Sequence, residues 1–426
     1  MELDGDSGSA ARDLKRARDE GKSPRRHKSF AADNGCSETK NYYVEPQVSE
    51  LVDMLVKGSY CVLTGVRQSG KSTSALHVRK LLRNAGFECI YLDLPPHLPD
   101  TALSNAKRWQ ILITAVSRRS SVVCAQPDVE PSDSAFSEMF FWRHEQKNVV
   151  LIFDEMNTFG RLPLSFKDSF LATLRAMKLD EDSYCLHSIL LIGTDSILAE
   201  LKISQEKRWA ATPDGCRDRT GFEYSPFSHD FRMRSTFFSN KDIEDLLAQY
   251  EQDRLIKVEK QAIAMSIFNL TSGHKGLVGV CCAELDAAFS LQSQHTLQMW
   301  ERFSKQSLAK RVLVKPTYYA MVSVCRGLDE KGRDLILSLL RAQGNVTVPS
   351  DQNVECLISD GVVVDNSPDT QLCELSVSSL LLHSALLESL QLQLSIRDEP
   401  GPRDFDYKDY REVGLEHICN TRVTKC

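Results

Sequence analysis

The sequence predicts an α/β chain: a parallel sheet flanked by helices, then an α-helical lid, then a winged-helix domain. Three observations carry that expectation. Apolar runs end in polar residues at "CVLTG", "LIFDE" and "LLIGT", as buried strands of a parallel sheet do. Helical spacing separates them, and a strand, helix, strand crossover builds parallel pairs. Beyond about residue 240 strands nearly vanish and amphipathic helices follow one another.

At 426 residues the chain is too long for one compact core and reads as two or three domains. With 42% hydrophobic and 26% charged residues it has globular composition, and its net charge of −6 gives no global attraction to nucleic acid. No apolar run approaches the roughly 18 residues of a membrane helix, and the N-terminus lacks a signal-peptide core. Thirteen cysteines are scattered singly apart from adjacent Cys281 and Cys282, without C-x-x-C or zinc spacing, which reads as free thiols in a reducing compartment.

Residues 1–40 are polar and mixed in charge, so they are expected to be a disordered tail. Their basic clusters Lys15–Arg18 and Arg25–Lys28 have the spacing of a bipartite nuclear-import signal, leaving a cytoplasmic or a nuclear location open. Residues 41–239 form the expected core. Strand "YCVL" runs into a glycine loop; helix "STSALHVRKLLRNAG" ends on a glycine cap, and strand "ECIYLDL" follows. A helix near Ala106–Arg119, strands at Asn148–Asn157 and Ser188–Leu198, and a short strand near Phe231–Phe238 complete it. Residues 240–312 read as the lid, 313–396 as the winged helix with a hairpin at "LISDGVVVD", and 397–426 as a tail.

The glycine loop carries the chemistry. Gly65, Val66, Arg67, Gln68, Ser69, Gly70, Lys71 and Ser72 fit G-x-x-x-x-G-K-[ST], and Thr73 follows on the same turn. Between a strand and a helix, such a loop aims backbone N–H groups at a polyphosphate on the positive end of the helix dipole. Lys71 would serve the β and γ phosphates of ATP, and Ser72 the Mg²⁺ ion. "LIFDEMN" delivers Asp154 and Glu155 to the carboxyl edge of the sheet, where Asp154 would hold Mg²⁺ and Glu155 would act as general base on water. Thr194 or Asp195, closing "LLIGTDS", is placed to sense the γ-phosphate. Gly273, His274 and Gly276 interrupt a helical stretch; they either cap a helix or bring a lid helix against the base and ribose. The expected fold is thus that of a P-loop NTPase, with ATP or ADP as ligand.

"GVRQSGKST", "LIFDEMN", "ILLIGTDSIL", "SPFS…FF…DIEDLL" and "LTSGHKGLV", in this order, resemble the AAA-like, STAND-type ATPase module of Crinkler and retrotransposon-hot-spot proteins, over about Tyr42 to Leu285. The resemblance implies a five-stranded core with the phosphate-loop strand central, a helical lid and a winged helix. It also implies that Lys71 and Ser72 serve phosphate and Mg²⁺, Asp154 the Mg²⁺, and Glu155 catalysis. Lys275 stands where that family commonly has proline, and Arg232 and Arg234 are its nearest arginine-finger candidates. Three functions follow: an ATPase moving its lid and winged helix; a nucleotide-gated module binding a protein partner or a second copy; or a DNA-associated remnant of an NTPase–nuclease. The winged-helix sequence "EKGRDLILSLLRAQ" mixes Lys331, Arg333 and Arg341 with apolar and acidic residues, which favours packing over nucleic-acid reading.

Overall fold

In the computed structural model the described residues are 27–32, 35–120, 123, 129–142, 147–197, 201, 232–342, 345–367 and 372–396. The basic cluster Lys15–Arg18, Arg25 and Arg26 of the second cluster and the 397–426 tail lie outside them.

Five parallel strands form the main sheet: β1 (Tyr60–Thr64), β2 (Glu88–Asp93), β3 (Val149–Asp154), β4 (Leu186–Ile192) and β5 (Arg232–Arg234), in the order β2-β3-β4-β1-β5. The strand leading to the glycine loop is therefore interior, flanked by β4 and β5, while the middle position belongs to β4. Every residue of β1 and β3 is buried, because helices cover both faces. Side-chain alternation divides each strand between two cores. Cys61, Leu63, Val150, Ile152, Leu190 and Ile192 face α1 (Ser49–Val56) and α2 (Lys71–Asn84). Val62, Leu151, Phe153, Ile189 and Leu191 face α3 (Asn105–Ser117), α4 (Asp133–Glu138) and α5 (Leu164–Leu179). Because the strands run parallel, β1, β3 and β4 end on one edge, and Asp93 and Asp154 are register partners there.

The lid begins at α6 (Asn240–Arg254), whose start is fixed by a capping box between Ser239 and Asp242. Then come α7 (Lys260–Thr271), α8 (Lys275–Phe289), α9 (Leu297–Phe303) and α10 (Ala309–Val314), with a two-stranded ladder of β6 (Lys257–Val258) and β7 (Gln294–His295). The winged-helix region contains α11 (Pro316–Gly327), α12 (Glu330–Arg341), β8 (Val346–Pro349), α13 (Gln352–Ser359), β9 (Val363–Asp365), β10 (Leu372–Val377) and α14 (Leu380–Ile396). Its three strands pair antiparallel in the order β8-β10-β9. The expected hairpin at "LISDGVVVD" forms in its second half, where Val363–Asp365 pair antiparallel with β10; ahead of it residues 352–359 are helical, capped by Asp351, which accepts from the Val354 N–H at 2.9 Å. Lid and winged helix share one core, from Ile243 and Leu285 to Leu339, Leu375 and Leu386. Among the described residues no helix is long and apolar enough to cross a membrane.

The segment before α1 departs from the expected tail. Residues 27–32 and 35–46 run as a strap across the lid and the core. Phe30 is buried between Tyr42 and Tyr250, with ring centroids 4.6 and 5.2 Å away. The Tyr42 hydroxyl donates to Asp253 Oδ2 at 2.9 Å, and the Cys36 N–H donates to Thr73 Oγ1 at 3.0 Å. These aromatic contacts offset the ordering entropy that polar composition alone could not. The strap meets α8 at Gly279, where an added Cβ would lie 2.0 Å from the Ala31 carbonyl oxygen. Gly279→Ala is therefore expected to lift the strap and raise alkylation of Cys36, a half-buried thiol that burial pushes up to about 11. Peptide-resolved mass spectrometry measures the rate; an unchanged Cys36 rate would show that the close approach does not hold the strap.

Candidate functional site

The glycine loop sits where β1 ends and α2 begins. Gly70 caps α2 with φ of 91°, a left-handed conformation open to glycine, and the Ser74 N–H closes the first turn onto the Gly70 carbonyl at 2.9 Å. The first N–H groups of a helix have no intrahelical acceptor, so this end is a ready anion cradle. The Lys71 ammonium donates to the carbonyls of Gly65 at 2.9 Å and Val66 at 2.7 Å, which folds the side chain back over the loop. Burial lowers its pKa to about 8, against the opposing pull of Asp154 and Glu155.

Asp154 closes β3 and is buried. Its Oδ1 accepts the Glu155 N–H at 2.8 Å, and its Oδ2 accepts a very short hydrogen bond from the Tyr91 hydroxyl on β2. Glu155 takes a left-handed φ of 56°, strain concentrated at the edge where ligands of such sheets bind. Burial, then the Asp154 carboxylate, push the Glu155 carboxyl up, while Lys71 and Arg67 act against them. Burial and Asp154 likewise raise Asp93.

Thr194 lies past the end of β4, between the glycine loop and Asp154. Asn157 holds it: the Asn157 side-chain oxygen Oδ1 accepts from the Thr194 N–H at 2.6 Å and from its hydroxyl at 3.0 Å. The Ser359 hydroxyl, at the end of α13, donates to Thr194 Oγ1 at 2.7 Å. Asp195, the alternative sensor, is instead engaged by Arg234 at 3.0 Å, so that finger candidate is tied within its own chain.

The lid reaches the loop through α8. His274 caps this helix, accepting the Leu277 N–H on Nδ1 at 3.3 Å, so Nε2 carries the proton and donates to the Arg67 carbonyl at 3.0 Å. Full burial lowers the His274 pKa to about 4, which keeps the ring neutral. The Gly276 N–H donates to the Gln68 carbonyl at 3.0 Å. A Cβ on Gly276 would crowd the Gln68 side chain, with Cβ at 2.6 Å, and the Tyr318 hydroxyl, also at 2.6 Å, so a bare position lets the helix sit this close to the loop. Lys275 covers Gly70, whose Cβ would meet the lysine Cδ at 2.8 Å, and its ammonium lies 5.3 Å from the centre of the Phe238 ring. Burial lowers the Lys275 pKa.

A cavity of about 370 Å³ results. Lys71, Ser72, Thr73, Asp154 and Glu155 line it, together with Gly276, Gly279 and the strap residues Ala31, Tyr43 and Val44. The structure thus brings the loop, Asp154 and Glu155 into one space. Thr194 stands just behind, while its neighbours Gly193 and Asn157 line the wall. Sequence reading missed Tyr91, Asn157 and the strap. Asn157 stood three residues after Asp154 in a stretch already singled out; nothing local linked Ala31 to Gly279.

The winged helix also docks here. Arg67 Nε makes a very short ion pair with Asp360 Oδ1, and Gly361, at φ of 78°, packs so that its Cβ would lie 3.0 Å from Val66 Cβ. The Gln68 side-chain amide donates to Thr317 Oγ1 at 2.9 Å.

No protein-family model and no curated protein matches the sequence. Among solved structures, a Walker-type ATPase of Pyrococcus abyssi is 15% identical, with 81% of this chain and 99% of that one covered and a TM-score of 0.45. The Aeropyrum pernix ORC2 protein in its ADPNP–ADP complexes is 12% identical, covering 86% and 97%, with a TM-score of 0.46. The RuvB Holliday junction branch migration motor of Thermotoga maritima is 12% identical, covering 83% and 95%, with a TM-score of 0.39.

The backbone at Glu155 makes a stability prediction. Glu155→Gly removes a left-handed side chain and an acid crowded by the Asp154 carboxylate. It is expected to stabilise the chain by about 1 kcal/mol in denaturant unfolding; a loss of stability would show that the side chain is held by favourable contacts.

Proposed function

We propose that this chain binds ATP with Mg²⁺ and hydrolyses it, and that the bound nucleotide controls the docking of the winged helix on the glycine loop. The observation that carries the reading is the single cavity in which Lys71, Ser72, Asp154 and Glu155 converge at the mouth of α2. The N-terminal N–H groups of α2 would take the phosphates, and Lys71 would neutralise the β and γ oxygens. Lys275 brings a second ammonium to the same loop. Gly276, Gly279 and the strap would enclose the base and ribose.

Ser72 and Asp154 fit Mg²⁺, since both offer hard oxygen atoms and magnesium is held by one or two carboxylates plus phosphates. Magnesium, when bound, offsets charge on the transferring phosphoryl oxygens. Glu155 would take a proton from water as its oxygen attacks the γ-phosphorus and the bond to the β-bridging oxygen breaks, releasing ADP and phosphate. A carboxyl raised by burial and by Asp154 is a stronger base than a solvated one, which suits that role. Thr194, held by Asn157, would orient the γ-phosphate or the water.

Docking supports coupling to the winged helix. Arg67, inside the loop, pairs with Asp360, and Thr194 bonds Ser359, so phosphate contacts would compete with both. The same contacts favour a second reading, a nucleotide-gated interaction module with little hydrolysis. Nucleic-acid reading finds less support: α13, the helix preceding β9, carries Glu355 and no Lys or Arg, and its end is turned onto the core.

Purified protein with Mg²⁺-ATP is expected to release phosphate, and Lys71→Ala and Glu155→Gln to lower the rate at least a hundred-fold, roughly the loss on removing a group that acts in the transition state. Binding without release in the wild type would favour the gated module.

Lys71 adds a pH prediction. Its charged form binds phosphate and its pKa stands at about 8, so affinity should be flat below that pH. Above it, affinity should fall about ten-fold per pH unit until the raised pKa of the complex is reached. Calorimetry at pH 9 in two buffers of different ionisation enthalpy should then show close to one proton taken up; no uptake would mean that Lys71 does not meet the phosphates.

A further inference from the structure

We propose that Tyr91 guards the cation seat: its phenol lies against Asp154 and Ser72, the two side chains assigned to Mg²⁺, and a cation must displace it to bind there. The inference rests on the nucleotide reading above and deepens it.

Tyr91 stands on β2, opposite Ile152 of β3 and two residues before Asp93, the register partner of Asp154. Its ring packs against the core under α1 and α2, and the residue as a whole is half-buried, which leaves the ring a way out. The hydroxyl donates to Asp154 Oδ2 in a very short hydrogen bond, while the Glu155 N–H occupies Oδ1 at 2.8 Å. Both oxygens of the carboxylate are thus engaged by donors. The Ser72 side chain interacts with the same phenol from the start of α2.

A hydroxyl hydrogen aimed at a buried carboxylate supplies positive charge at the point where a hard cation would supply it. Phenol and cation therefore compete for the same oxygen, and a hydrogen bond to an ionised group is among the stronger ones. In this arrangement Asp154 is kept satisfied without metal, and the ring must swing away for the cation to bind. A phenol acting only as a fixed support would instead orient Asp154 and help binding. The two roles have opposite signs.

Tyr91→Phe removes one oxygen and keeps the ring. The probe is Mn²⁺, followed by its free-ion electron paramagnetic signal in the presence of full-length protein and a non-hydrolysable ATP analogue. The variant is expected to bind Mn²⁺ about ten-fold more tightly than wild type, the scale of one charge-assisted hydrogen bond, with unchanged affinity for the analogue in EDTA. Equal or weaker Mn²⁺ binding overturns the proposal. Failure of the wild type to bind the analogue at all overturns the nucleotide reading, and this inference with it. Wild-type protein gives a second readout should the variant misfold: nitration of Tyr91 by tetranitromethane, read by peptide mass spectrometry, should be faster with analogue and Mg²⁺ than with analogue alone. An equal or slower rate counts against displacement.

Discussion

The close approach of α8 to the glycine loop is the constraint on which the rest of the site depends. Gly276 donates its N–H to Gln68, His274 donates to the Arg67 carbonyl, and a side chain on Gly276 would collide with the loop. One turn further along, Gly279 admits the Ala31 carbonyl. Two bare positions on one helix therefore fix the loop on one side and the strap on the other, and the cavity is what remains between them. Bulk at Gly279 would force backbone to move, because it meets the Ala31 carbonyl, whereas bulk at Gly276 would displace the Gln68 and Tyr318 side chains.

Charge is shifted by desolvation in the cavity at Lys71, Lys275 and Glu155, and beside it at Asp93. Lys71 and Lys275 are both pushed toward losing their protons, while Glu155 and Asp93 are pushed toward keeping theirs. Each group is thus less charged than it would be in water, and each is positioned to recover charge when a partner of opposite sign arrives. A polyphosphate would do this for the lysines, and a cation for the acids. His274 differs: buried and neutral, it serves as a structural cap whose two ring nitrogens are both used.

Much of this was legible in sequence where the signal is local. The glycine loop, its flanking strand and helix, and the acids ending β3 are each fixed by a few neighbouring residues, and the structure forms them within a residue or two of the expected bounds. The hairpin expected at "LISDGVVVD" is legible in its Val363–Asp365 half, while the helix that takes up Leu357–Ser359 depends on the Asp351 cap and the 3-residue spacing of Val354 and Leu357. Long-range pairings gave no such signal. Phe30 lies in a polar segment, and its burial depends on Tyr42 and Tyr250 meeting it across the fold. Tyr91 looked like an ordinary strand residue, because its importance comes from the register of β2 against β3.

The winged-helix contacts show why loop and lid should be considered together. Arg67 and Gln68 belong to the loop that would wrap the phosphates, yet their side chains face outward to Asp360 and Thr317, while their carbonyls face α8. Thr194 is similarly divided between Asn157 on the core and Ser359 on α13. Any movement of the loop backbone on accommodating a ligand must therefore be transmitted to the lid helix and the winged helix at once. Their shared hydrophobic core makes independent motion costly, so the two would respond as one body. In the proposed cycle the moving part is then the described lid and winged helix together, pivoting about the backbone hydrogen bond of Gly276 to Gln68.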